Sequence, residues 1–192
     1  MKTILIDVEA GRLTEAQVQQ IQAAAPEMRV LWARDHAQIE PALEEIEIAV
    51  GGFPHDLLPR ARNLRWMQQW GAGADWLRHV PEAAEMDFVL TSASGVHAIP
   101  ISEQILGYLL AFARGLHRAV RAQVKHEWHK ETQETLFELA DKTMLLIGVG
   151  AIGGRTAELA AALGMRVLGL RRDPSLDAPG IAAMYGPDQL LE

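Results

Sequence analysis

The residues best suited to chemistry form a glycine pattern, Gly148-Val149-Gly150-Ala151-Ile152-Gly153. An apolar run, Thr143–Ile147, leads into it. A helix-forming segment, Gly154–Leu163, and a second apolar run, Met165–Leu170, follow. Strand, glycine turn, helix and strand in that order predict a dinucleotide-binding βαβ unit. Gly148 lets the chain turn sharply off the strand, Gly150 lets the backbone approach a pyrophosphate, and Gly153 lets the helix pack closely. The pyrophosphate would lie against the free N–H groups of Ala151, Ile152 and Gly153, at the positive end of the helix dipole.

The end of the second strand distinguishes the two nicotinamide cofactors. An acidic residue there binds the ribose 2′-OH of NAD, whereas arginine suits the 2′-phosphate of NADP. Here Arg171-Arg172 stand at that place and Asp173 follows one step on. Arginine presents a planar fork of donors matched to phosphate. NADP(H) is therefore favoured, with NAD(H) the alternative if both arginines are plain surface charge.

Two further turns fall at the ends of apolar runs, Gly51-Gly52-Phe53-Pro54 and Gly71-Ala72-Gly73-Ala74-Asp75. Strand ends are where open α/β sheets bind ligands. His126-Glu127-Trp128-His129 puts two histidines three apart but offers no third ligand, so no metal site is expected.

These residues need elements to hold them. Strand-like runs are Thr3–Val8, Arg29–Ala33, Ile46–Val50, Leu64–Gln69 and Phe88–Thr91, with a helical pattern over Thr14–Ala25 that Thr14 or the preceding turn caps. Alternating strands and helices predict an α/β fold with a parallel sheet covered on both sides. From Ile101 to Trp128 the pattern is one long helix, with Ser102 as candidate N-cap. The reading is of two domains, 1–100 and 101–192. A full doubly wound domain needs two βαβαβ halves. The stretch after Gly148 holds little more than the first helix and second strand, and Asp188–Glu192 looks like another helix beginning. The domain is therefore expected to be incomplete within this chain.

Composition narrows the classes. The chain has 192 residues, 49% of them hydrophobic, no cysteine and a net charge of −7. The absence of cysteine excludes disulfides, thiol catalysis and zinc–thiolate sites, and fits a cytoplasmic protein. The acidic balance argues against nucleic acid as a partner. No apolar run is long enough for a bilayer, and Met1–Asp7 reads as a strand, not a signal peptide.

With these motifs placed, the sequence resembles the D-isomer-specific 2-hydroxyacid dehydrogenases, the family of glyoxylate/hydroxypyruvate reductases and phosphoglycerate dehydrogenase. The likeness is carried by Gln69–Asp75, similar to the family's substrate-carboxylate loop, and by Ser94–Glu103, similar to its hinge segment. Trp128 and Leu139–Thr143 resemble the lead-in to its glycine-rich strand. The resemblance implies a flavodoxin-like parallel-sheet substrate domain, then the first part of a Rossmann dinucleotide-binding domain, with the active site in a cleft. It implies that the N–H groups of Ala72 and Gly73 hold the carboxylate of a small 2-oxo or 2-hydroxy acid. It also implies that Phe53 lines the pocket, although a plain core residue would fit there equally. Trp70 reads as a packing residue. The family's catalytic arginine, histidine and acidic residue match nothing here, so no catalytic residue is assigned. His97 lies in a family motif but not at the catalytic position. Homodimerisation through the dinucleotide domain is the family's habit.

Three readings result. In the first, these residues are the N-terminal part of an NAD(P)-dependent oxidoreductase acting on the CH–OH group of D-2-hydroxy acids or reducing 2-oxo acids, truncated and inactive alone. The second is a non-catalytic remnant that binds anions or a partner, its half-sheet leaving an open edge and an apolar face. The third, a cofactor-sensing regulator, has no sequence feature in its favour.

Overall fold

A computed structural model describes residues 1–9, 12–132 and 134–190, which fall into two compact units, Met1–Ser94 and Gly95–Glu192. The first unit runs β1 (Thr3–Asp7), α1 (Glu15–Ala24), β2 (Arg29–Trp32), α2 (His36–Ile39), β3 (Ile46–Gly51), β4 (Trp66–Gln69) and β5 (Val89–Ser92), with short 3-10 turns between. All five strands are parallel, in the order β2-β1-β3-β4-β5. This is the flavodoxin-like order of a doubly wound sheet. Alternation along β1 sends Ile4 and Ile6 to one face, with Val8, Met28 and the Val18 and Ile21 stripe of α1. Leu5 faces the other side, among Ile39, Ile46, Ala49, Leu58 and Met67. Thr14 caps α1 through a capping box with Gln17, whose side chain accepts from the Thr14 N–H at 2.8 Å.

The second unit runs α3 (Ala98–Ala113), α4 (Leu116–Val124), β6 (Thr143–Ile147), α5 (Ala151–Ala162), β7 (Arg166–Leu170) and β8 (Ala183–Tyr185). Its three strands are parallel in the order β6-β7-β8, the start of a Rossmann sheet. Ala157 and Ala160 of α5 are fully buried against Leu106 and Val167, with Met144 and Leu146 packed alongside. These small side chains bring the helix backbone close to the sheet.

Three sequence expectations change here. The long helix is two helices, because Gly115 adopts a left-handed φ of +67° and its α-carbon faces Glu131 too closely for a side chain. Ser102 is not the N-cap; α3 starts after His97, and the buried Ser102 hydroxyl donates to the Ile99 carbonyl at 2.9 Å. Pro100 lies within the first turn, where a missing N–H costs nothing. Beyond β7 a third strand, β8, is present that the sequence reading passed over. Of the expected helix at Asp188–Glu192, Pro187–Gln189 forms a 3-10 turn, and Leu191 and Glu192 lie outside the described residues. No helix among the described residues is long and apolar enough to cross a membrane.

Candidate substrate and dinucleotide sites

In the first unit, the loops after β3 and β4 enclose a pocket of about 300 Å³, lined by Phe53, His55, Gln69, Trp70, Trp76 and the loop glycines. Gly51 turns the first loop at φ +102°, where a side chain would collide with the Asp7 carbonyl and lie 2.7 Å from the Trp70 indole nitrogen. The same Asp7 carbonyl accepts the Gly52 N–H at 3.0 Å, tying the loop to β1. Phe53 is 3% exposed and belongs to the hydrophobic core as well as to the pocket wall. Trp70 is not buried packing: it is 46% exposed and flanks the pocket.

The second loop, Gly71–Asp75, is organised by Gln69. Its Nε2 donates to the carbonyls of Gly71 and Gly73 at 3.0 and 2.8 Å, and its Oε1 accepts from Trp76 Nε1 at 2.9 Å. Trp76 in turn stacks on His55, with ring centroids 4.8 Å apart and planes 16° from parallel. Among the described residues the N–H groups of Ala72 and Gly73 have no acceptor. A strand-end loop with free N–H groups is a ready concavity for an anion. Sequence reasoning named Gln69 only as part of the loop motif and passed over Trp76 and His55; the signal was a glutamine ending an apolar strand directly before a glycine turn.

In the second unit, Gly148 leaves β6 at φ +100°, its N–H donating to the Leu170 carbonyl at 2.8 Å. Gly150 stands at the N-cap of α5, and a methyl group built there would meet nothing within 4 Å. The first α-helical bond is Gly154 N–H to Gly150 carbonyl at 2.8 Å. The N–H groups of Ala151, Ile152 and Gly153 therefore have no acceptor among the described residues. An open glycine surface over a twelve-residue helix start fits a nucleotide pyrophosphate.

Arg171 and Arg172 follow the last residue of β7, the first half-buried and the second exposed. Among the described residues neither guanidinium makes an ion pair within 4.0 Å. The Asp173 carboxylate is engaged elsewhere, accepting from the Ser175 hydroxyl at 2.6 Å and N–H at 3.1 Å. Those bonds, then the Arg171 charge, hold its carboxyl below the usual range despite some desolvation.

Comparison with known proteins bears on the family and the fold. The family model of the D-isomer specific 2-hydroxyacid dehydrogenase NAD binding domain matches residues 106–192. Over these residues the chain belongs to the D-isomer-specific 2-hydroxyacid dehydrogenase family. Within this family, the hydroxypyruvate reductase of Thermotoga maritima is 32% identical over 113 residues, 59% of this chain and 36% of that protein. A solved family member from Aeromonas salmonicida superposes with a TM-score of 0.79 at 28% identity, covering 96% of this chain and 58% of the other. The NADPH-dependent glyoxylate/hydroxypyruvate reductase of Sinorhizobium meliloti, solved with NADP and sulfate, gives 0.73 at 25% identity, covering 98% and 57%. The chain thus spans little over half of these solved dehydrogenases and 36% of the Thermotoga reductase.

Proposed function

We propose that this chain carries the substrate-carboxylate loop and the first half of the dinucleotide cradle of an NADP(H)-dependent oxidoreductase acting on a small 2-oxo or 2-hydroxy acid. Glyoxylate and hydroxypyruvate are the first substrates to try. The observation that carries the reading is the open Gly150 surface, with helix N–H groups that have no acceptor, and an Arg171–Arg172 pair at the end of β7 that makes no ion pair, among the described residues. Residues 1–94 would then be the substrate unit, with the domain boundary within the segment up to Ile101.

In this reading the N–H groups at Ala151, Ile152 and Gly153 hold the pyrophosphate. Arg171 and Arg172 meet the 2′-phosphate, which NAD(H) lacks. A bound nicotinamide supplies or accepts the hydride. Ala72 and Gly73 N–H groups fix the substrate carboxylate, and Phe53 closes the side of the pocket against its remaining group. The family's proton-transferring groups match nothing in this sequence, so the 192 residues alone are proposed to bind without turning over. Two copies associate, neither nucleic acid nor membrane is a partner, and the location is cytoplasmic.

The test is a fluorescence titration with NADPH, competed by adenosine diphosphoribose with and without a 2′-phosphate. The phosphorylated competitor is expected to bind about tenfold tighter, the worth of one charge-assisted contact. Equal binding would overturn the preference for NADP(H), and no binding of either would overturn the dinucleotide site. Turnover of NADPH with glyoxylate by the chain alone would sink the assignment of binding without catalysis.

A second reading is favoured by one observation. The sheet face opposite α5 exposes Leu145 and Ile147, and Leu168, Leu170, Tyr185 and Leu190 line a cavity of about 420 Å³ there. An apolar face of this kind marks an interaction site. In this reading the chain binds an anion or a protein partner without a nucleotide. The NADPH titration separates the two.

A further inference from the structure

Gln69 is 6% exposed, and every polar atom of its side chain is in use. The Gly71 carbonyl that it holds is held a second time by the Ala93 N–H at 3.3 Å. In a trans peptide the carbonyl and the following N–H point in opposite directions, and no described peptide bond is cis. Drawing the carbonyls of Gly71 and Gly73 onto Gln69 therefore turns the N–H groups of Ala72 and Ala74 away from it. Neither has an acceptor among the described residues.

Resting on the reading of this loop as the carboxylate site, we propose that Gln69 is its positioning residue, aiming the N–H groups of Ala72 and Ala74 at the substrate carboxylate. Ala74 thereby joins Ala72 and Gly73 as a donor. The orientation of the amide is fixed from behind. Trp76 Nε1–H can only donate, so Oε1 of Gln69 must face it and Nε2 must face the loop. Glutamate would keep the Trp76 bond but set its other carboxylate oxygen, an acceptor, against both carbonyls. Leucine would leave the Gly73 carbonyl and the indole N–H unpaired, and the Gly71 carbonyl on the longer Ala93 bond alone. Because Trp76 stacks on His55, the same network ties the loop after β4 to the loop after β3.

The experiment titrates the full chain with oxamate, a stable 2-oxo-acid mimic, while following the backbone amide resonances by NMR. In the wild type, the amides of Ala72 and Ala74 are expected to shift with added oxamate. Gln69→Leu and Gln69→Glu are both expected to weaken oxamate binding about tenfold or more, as when buried polar partners are lost. Ile39→Val, a core change in the same unit, is expected to lower the melting temperature without altering affinity. If both Gln69 variants melt lower yet bind oxamate as the wild type does, Gln69 is merely structural and the proposal is overturned. If Gln69→Glu binds normally while Gln69→Leu does not, the donor role is overturned. A wild type showing no shift in this loop would overturn the carboxylate-site reading itself.

Discussion

The carbonyl oxygen of Gly148 stands where a side chain on Gly153 would have to go. The strand-to-helix turn and the first turn of α5 therefore touch backbone to backbone. Gly154, one residue on, faces open space within 4 Å. The two positions make a matched pair for substitution. Gly153→Ala is expected to push α5 off the turn, destabilising the protein by about 1–3 kcal/mol as overpacking does, and to abolish NADPH binding. Gly154→Ala is expected to gain up to about 1 kcal/mol from helix propensity and keep the nucleotide. Melting curves and NADPH titrations on both variants check this; equal behaviour would remove the steric argument.

The arginine pair predicts a shift in selectivity. Among the described residues neither guanidinium makes an ion pair, and Asp173, though it feels the Arg171 charge, bonds to Ser175. Replacing both Arg171 and Arg172 by alanine is expected to weaken NADPH binding about tenfold or more and leave NADH nearly unchanged. Parallel titrations with the two nucleotides read the ratio directly. An unchanged ratio would mean that both side chains are surface charge.

Much of this was legible in the sequence where a residue type has one physical use. Strand-like apolar runs placed all five strands of the first sheet within about two residues, the usual uncertainty of element ends. The glycine pattern placed the βα turn. What the sequence hid depended on three-dimensional neighbours. Gly115 ends the first helix in a left-handed conformation, with Glu131, sixteen residues on, folded back against it. The three residues Ala183–Tyr185 are too short to show a period, and become a strand only beside β7. Gln69 reads as one more strand residue until the carbonyls of Gly71 and Gly73 are seen on its amide.

Glu131 predicts a pH response confined to acid. Arg118 reaches it through two N–H donors at 2.8 and 2.7 Å, and Thr135 Oγ1 adds a third at 2.8 Å. These hold the Glu131 carboxyl down from 4.5 to about 2, the Arg118 bond contributing most, then Thr135, with the charges of Arg118 and His129 adding to it. Because the folded value is the lower, the stabilisation is complete above about pH 4.5 and fades as pH falls toward about 2. The amides of Thr132 and Thr135 should therefore shift across that window in an NMR titration. Glu131→Gln should abolish that step and loosen the loop at neutral pH. A midpoint near 4.5 in the wild type would show that the pair does not form.

Along α3, α4 and the loop beyond, Tyr108, Phe112, Leu116, Val120, Val124 and Trp128 recur every fourth residue, and all are exposed, Trp128 at 96%. A monomer seldom leaves so long an apolar series in water, and the series supports self-association through this unit. Stable interfaces bury roughly 800 Å² on each partner, so the row must be covered together with its flanks. The wild type is expected to run as a dimer in sedimentation or light-scattering measurements at micromolar concentration. Val120→Glu with Val124→Glu should give a monomer, since each copy would then bury two unpaired charges. On an exposed surface such changes alter the monomer's own stability by only about 0.5 kcal/mol, so the fold, read by circular dichroism, should persist. A wild type that stays monomeric at about 100 μM, far above the dissociation constants of standard interfaces, would leave the apolar row without its proposed partner.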